Sequence, residues 1–172
     1  MSQPRTLELV ARDAGATLEL GARLETSLTL PLVAPFVITL SGELGTGKTT
    51  LVGGFLGALG VAGPVRSPTY TLLEEYAAGT LRVAHLDLYR VRSDREIEEL
   101  GVRELLDPGR VLLIEWPERG GGALPPTDLA ITLEFEASGR RIRLEPRTTV
   151  AGALVDALRA YSGRLQVGPL SS

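Results

Sequence analysis

Gly42-Glu43-Leu44-Gly45-Thr46-Gly47-Lys48-Thr49 matches the pattern G-x-x-x-x-G-K-[ST] at every fixed position, and it restricts the fold more than any other stretch. Such a loop turns its backbone N–H groups inward on a bound anion, so it must run between a buried strand and the positive end of a helix. The flanks agree. Pro35-Phe36-Val37-Ile38-Thr39-Leu40 is a mostly apolar run ending at Ser41-Gly42, the signature of a buried parallel strand. Thr49 to Leu59 then reads as a helix closed by Gly60 and Gly63. The basic residues sharpen this reading. The chain has 18 of them, and Lys48 is the single lysine among arginines. A compact ammonium on a thin stem reaches between phosphates where a planar guanidinium is too wide.

From these residue types, Gly42, Glu43, Leu44, Gly45, Thr46, Gly47, Lys48, Thr49 and Thr50 are expected to hold a nucleoside triphosphate. Lys48 would meet the β- and γ-phosphates, the Thr49 hydroxyl would ligate Mg2+, and Thr50 would support the α-phosphate. The chemistry also needs a carboxylate near the metal, usually at the end of a neighbouring buried strand. Glu115 follows the run Val111-Leu112-Leu113-Ile114 and has the better strand context. Asp87, in His85-Leu86-Asp87-Leu88-Tyr89, is the alternative, its competing explanation being a solvent-facing acidic residue on an alternating strand. Ser67-Pro68-Thr69-Tyr70-Thr71 is a proline-marked loop where nucleotide switches often place a γ-phosphate sensor. His85, the only histidine, lies on an expected strand with no metal-binding cluster near it and reads as structural. Trp116 reads as a core anchor or an exposed contact, and Arg90, Arg92, Arg95, Arg140, Arg141 and Arg143 read as solvated.

The remaining pattern fits one α/β domain with a mostly parallel central sheet, antiparallel hairpins and flanking helices. Residues 1–10 read as a short extended segment, and 17–28 as an amphipathic helix starting near Gly15 or Thr17. A hairpin is expected from Leu72–Tyr76 and Leu81–Leu88, and a helix from Asp94 (as N-cap) to Leu106, broken at Gly101. A second hairpin (128–135 with 140–144) and a closing helix (150–161) follow. The domain is expected to cover 1–162, with 163–172 a flexible tail.

Composition excludes several classes. Without cysteine there is no disulfide, thiolate zinc site or cysteine nucleophile. A net charge of −3 argues against a broad grip on nucleic acid. No apolar stretch reaches the roughly 18 residues that span a bilayer, and no signal peptide is evident, so the expected location is the cytoplasm. The chain lacks asparagine and has one lysine, so the Asn-Lys-x-Asp element that reads guanine, and its Thr-Lys-x-Asp variant, are both absent. ATP is the expected nucleotide. A small-molecule kinase and a nucleotide-gated binding switch remain competing readings.

Four segments occur in order: the P-loop through Thr50, Ser67-Pro68-Thr69-Tyr70-Thr71-Leu72, His85-Leu86-Asp87-Leu88-Tyr89-Arg90, and Leu113-Ile114-Glu115-Trp116. Together they resemble the TsaE (YjeE) family, bacterial P-loop ATPases of tRNA threonylcarbamoyladenosine biosynthesis. The resemblance runs from about residue 17 to 117. It implies an ATP- and Mg2+-dependent hydrolase, weak alone, that docks on TsaB- and TsaD-like proteins and drives their turnover, touching tRNA only through that complex. It further implies that Thr49 and Glu115 ligate magnesium and Lys48 holds phosphate. Asp87 would contribute to the metal or hydrolytic site. Ser67, Pro68, Thr69 and Tyr70 would form a switch-like loop, and Trp116 would belong to a region needed for activity.

Overall fold

The computed structural model describes residues 6–161 and 166–167. Its centre is one eight-stranded sheet. In chain order the strands are β1 (Leu7–Ala11), β2 (Phe36–Ser41), β3 (Leu73–Ala78), β4 (Leu81–Asp87), β5 (Arg110–Glu115), β6 (Leu129–Glu136), β7 (Gly139–Pro146) and β8 (Gln166–Val167). Across the sheet the order is β3-β4-β5-β2-β6-β7-β1-β8. The pairs β4–β5, β5–β2 and β2–β6 are parallel, while the outer pairs are antiparallel. The expected parallel centre with flanking hairpins is therefore observed.

The strands of the centre are apolar on both faces because both faces are covered. Ile38, Leu40, Val83, Val111 and Leu113 face the larger core under two helices, α1 (Ala14–Thr26) and α2 (Lys48–Ala58). Val37, Ala84, Leu86, Leu112 and Ile114 face a smaller core closed by α3 (Asp94–Glu99) and a 3-10 turn at Val102–Leu105. The last helix, α4 (Thr149–Arg159), is capped by Thr148, whose hydroxyl accepts from Ala151 N at 3.3 Å.

Helix boundaries shift from the sequence reading. Helix α1 starts at Ala14, one residue before Gly15 and three before Thr17, because Asp13 Oδ1 accepts from Ala16 N at 2.8 Å and fixes the first turn. Asp13→Ala is expected to cost about 1 kcal/mol in urea-induced unfolding. In helix α3 the N-cap position falls on Ser93, whose side chain makes no capping bond, with Asp94 as the first residue, and the helix ends before Gly101, whose φ of 68° stops the α-helical run. Residues 7–11, read as an extended segment, are a full strand on β7. The expected tail, 163–172, lies outside the described residues apart from Gln166–Val167, which pair with β1.

α1 and α2 approach unusually closely. A Cβ on Gly21 would lie 2.0 Å from Leu51 O, and one on Gly54 would lie 2.0 Å from Leu18 O. Two glycines in helix interiors, unfavourable by propensity, let the backbones touch and seat α2 on the sheet. Among the described residues no helix is long and apolar enough to cross a membrane.

Candidate functional site

The four parallel strands end at one edge of the sheet, where the loops after them meet. From β2 the chain enters the P-loop with Gly42, Gly45 and Gly47 at φ of 145°, 80° and 107°. Gly42 is also sterically required, since a Cβ there would lie 2.3 Å from Leu133 O on β6. The loop is folded back on itself by its own side chains. The Thr46 hydroxyl donates to Glu43 O at 2.8 Å, and Lys48 Nζ donates to Gly42 O at 2.6 Å and Glu43 O at 2.8 Å. Lys48 is only 4% exposed. Burial pushes its pKa down, while Glu115, Glu118 and Asp87 pull it back up. Glu43 thus acts through its carbonyl, and Leu44 points its apolar side chain outward.

Asp87 ends β4 and Glu115 ends β5, and the two are register partners on adjacent parallel strands. The structure places both candidates side by side. Asp87 is 4% exposed, which rules out the solvent-facing reading of that residue. Burial raises its pKa above the ordinary value. The Tyr89 N–H at 2.9 Å pulls it down, Glu115 pushes it up, and His85 and Lys48 pull it down. The Thr49 hydroxyl lies 2.9 Å and 3.0 Å from the two Glu115 oxygens. Ser67 Oγ donates to Asp87 Oδ2, which ties the proline-marked loop to the carboxylate edge.

The other candidates divide. Pro68 is buried and Thr69 half-buried, its hydroxyl 3.4 Å from Ser67 Oγ. Tyr70 is 85% exposed, with the Arg90 guanidinium 4.5 Å above its ring, and does not turn into the site. Trp116 adopts a left-handed backbone, φ 58°, which swings its ring back over the P-loop. The Lys48 ammonium lies 4.0 Å from that ring's centroid, and the Tyr89 ring packs against it at 4.9 Å, tilted by 51°. Trp116 therefore roofs the lysine.

Two hollows flank the P-loop. One, about 330 Å³, is bounded by Lys48, Thr49, Ser67, Asp87, Glu115 and Trp116. The other, about 260 Å³, lies across Gly45 and Gly47 and is bounded by Arg12, Thr17, Thr50 and Arg140. Thr50 borders both. Among the described residues no group of three His, Cys, Asp or Glu could hold a metal by itself. The donor set beside Lys48 is all hard oxygen, a hydroxyl and two carboxylates, which suits a small divalent cation completed by ligand oxygens and water.

His85 is packed and hydrogen-bonded, as its structural reading expects, but its partner and the reach of Arg140 are not legible in the sequence. His85 is completely buried, with Nε2 2.8 Å from Glu115 Oε1. Its place two residues before Asp87 on one strand was the available signal, because both then share a face. Arg140, which reads as solvated in the sequence, reaches Gly45 O at 3.4 Å and covers Phe135 at 4.4 Å. Only the pairing of β6 with both β2 and β7 brings that hairpin over the P-loop.

The family model described as "Threonylcarbamoyl adenosine biosynthesis protein TsaE" matches residues 11–142, which contain every group named above. The chain belongs to the TsaE family. It is 38% identical over 133 residues to the tRNA threonylcarbamoyladenosine biosynthesis protein TsaE of Haemophilus influenzae, covering 77% of this chain and 84% of that one. With the TsaE protein of Bacillus subtilis it shares 39% identity over 122 residues, 68% of this chain and 76% of the other. The crystal structure of Bacillus subtilis YdiB superposes with a TM-score of 0.68 at 27% identity, covering 92% of this chain and 97% of that one. This TsaE-family chain thus shares its fold with YdiB across nearly its whole length.

Proposed function

We propose that this chain is a magnesium-dependent ATPase of tRNA threonylcarbamoyladenosine biosynthesis, whose hydrolysis of ATP drives turnover of a TsaB–TsaD-like transfer complex. One observation carries the ATPase reading. Lys48, Thr49, Asp87 and Glu115 converge on a single hollow at the carboxyl edge of the parallel strands. The role in tRNA modification rests on family membership and on the names of the relatives.

In this reading the P-loop N–H groups and the start of α2 bind the phosphate chain, and Lys48 exchanges its bonds to Gly42 O and Glu43 O for phosphate oxygens. Thr49 and Glu115 would hold Mg2+, which when bound would supply positive charge against the phosphates. Asp87, raised in pKa by burial, orients the attacking water and accepts its proton. The Ser67–Asp87 bond links that event to the proline-marked loop, so a change of nucleotide state reaches the surface bearing Tyr70. The hollow bounded by Arg12, Thr17, Thr50 and Arg140 receives the nucleoside. Trp116 excludes water from above Lys48.

The test is phosphate release from γ-labelled ATP with magnesium, by the chain alone and with the TsaB–TsaD pair. Slow release alone that rises on adding the pair is the expected result. No rise with the pair would remove the coupling, and transfer of the label to a small-molecule acceptor would make the chain a kinase. In the same assay Glu115→Gln is expected to lower release at least about 10²-fold, about 2.7 kcal/mol of barrier. Unchanged release would remove Glu115 from the site.

A further inference from the structure

His85 is costly where it stands. It is completely buried on the face of the sheet that otherwise carries Val83, Val111 and Leu113, and a leucine there would fill the space without burying polar atoms. Its Nδ1 is buried and has no hydrogen-bond partner among the described residues, so the ring is only half satisfied. The other nitrogen, Nε2, lies 2.8 Å from Glu115 Oε1. The register explains the reach. His85 pairs with Leu113, and Glu115 is two residues further along the same face of β5, beside Asp87. A carboxylate oxygen accepts, so the proton of this contact is carried by Nε2.

We propose that His85 is a positioning residue: its Nε2–H holds Oε1 and keeps the Glu115 carboxylate turned toward the Thr49 hydroxyl, in the orientation that receives a divalent cation. The proposal rests on the assignment of Thr49 and Glu115 as metal-holding groups. Without the imidazole, Glu115 keeps only the Thr49 hydroxyl as its side-chain partner among the described residues, and one of the two groups that fix its last torsion is gone. Carboxylate ligands held by a second group bind metal more tightly because less orientational freedom is lost on binding.

The single tryptophan and the single histidine make the test direct. Trp116 lies over Lys48, so its fluorescence follows ATP binding in EDTA and the further change on titrating magnesium. His85→Leu is expected to weaken the magnesium response about 10- to 100-fold while ATP affinity in EDTA stays within about twofold of wild type. His85→Gln, whose amide donates from nearly the position of Nε2, is expected to recover most of the loss. Wild-type magnesium affinity in His85→Leu would overturn the proposal while leaving the metal site intact. A wild-type protein with no magnesium response would overturn the metal assignment and this proposal together. If the leucine variant does not fold, the imidazole 15N shifts of wild type still decide. A protonated Nε2 is expected, and a protonated Nδ1 with bare Nε2 would overturn the assignment.

Discussion

Lys48→Met is expected to lower phosphate release at least about 10³-fold, about 4 kcal/mol of lost transition-state stabilisation, with little change in folding. The methionine keeps an unbranched stem under Trp116 but removes the charge that is proposed to meet the phosphates. In the structure that charge is buried, held by two loop carbonyls and roofed by an aromatic ring. Because burial lowers the Lys48 pKa, folding disfavours its protonated form. The resulting penalty on stability is present below the lowered pKa and is relieved as pH rises through the unfolded value. Removing the charge relieves that penalty at neutral pH and offsets the loss of the bonds to Gly42 O and Glu43 O. The melting temperature is therefore expected to move by only about 2–4 °C, the equivalent of about 1 kcal/mol. Lys48→Arg is expected to fail almost as badly, since a guanidinium is too wide for the space between phosphates. Measuring phosphate release and thermal melting on the same samples separates the two effects. Normal hydrolysis by Lys48→Met would sink the ATPase reading of the P-loop.

The largest effect on stability is expected at Gly54. Helix propensity alone predicts that Gly54→Ala should gain up to about 1 kcal/mol. Packing predicts the opposite, because the new Cβ would lie 2.0 Å from Leu18 O and 2.8 Å from Leu18 C, backbone atoms that cannot swing away. Separating α1 from α2 to accommodate it is expected to cost about 3 kcal/mol or more net, lowering the melting temperature by about 6–12 °C. Gly21→Ala meets the mirror contact with Leu51 O and is expected to behave alike. Gly57 supplies the control. It lies in the same helix with nothing within 4 Å of its added Cβ, so Gly57→Ala is expected to stabilise by up to about 1 kcal/mol. If Gly54→Ala and Gly57→Ala shift thermal melting equally, the close approach of the helices is wrong. Because α2 begins at Lys48, the Gly54 variant should also lose nucleotide affinity, as its first turn moves with the helix.

Local chemistry made much of this chain readable. A strand, a glycine turn and a helix start are each short-range features, so the P-loop, its lysine and its threonine stand out in one sequence. The buried runs of β2 and β5 and the two hairpins are legible for the same reason, since side-chain period and turn residues are local signals. Helix starts were less legible. Asp13 and Ser93 sit one to several residues before the expected boundaries, and the Asp13 cap is known only once its N–H partner, Ala16, is.

What remained hidden depends on which strands are neighbours. Periodicity shows that His85 and Asp87 share a face, but not that β5 lies beside them. The adjacency of β4 and β5 makes Asp87 and Glu115 register partners, buries Asp87, and brings a lone histidine against a carboxylate thirty residues away. The pairing of β6 with β2 carries Arg140 to the P-loop, and a touch between two backbones turns Gly21 and Gly54 from weak helix residues into required ones. The sequence by itself determined the glycine-rich turn between β2 and α2, because the physics of that turn is contained in nine consecutive residues. Only the tertiary structure decided which carboxylates, histidine and loop surround it, because strand order is set by the burial of whole faces rather than by any local pattern.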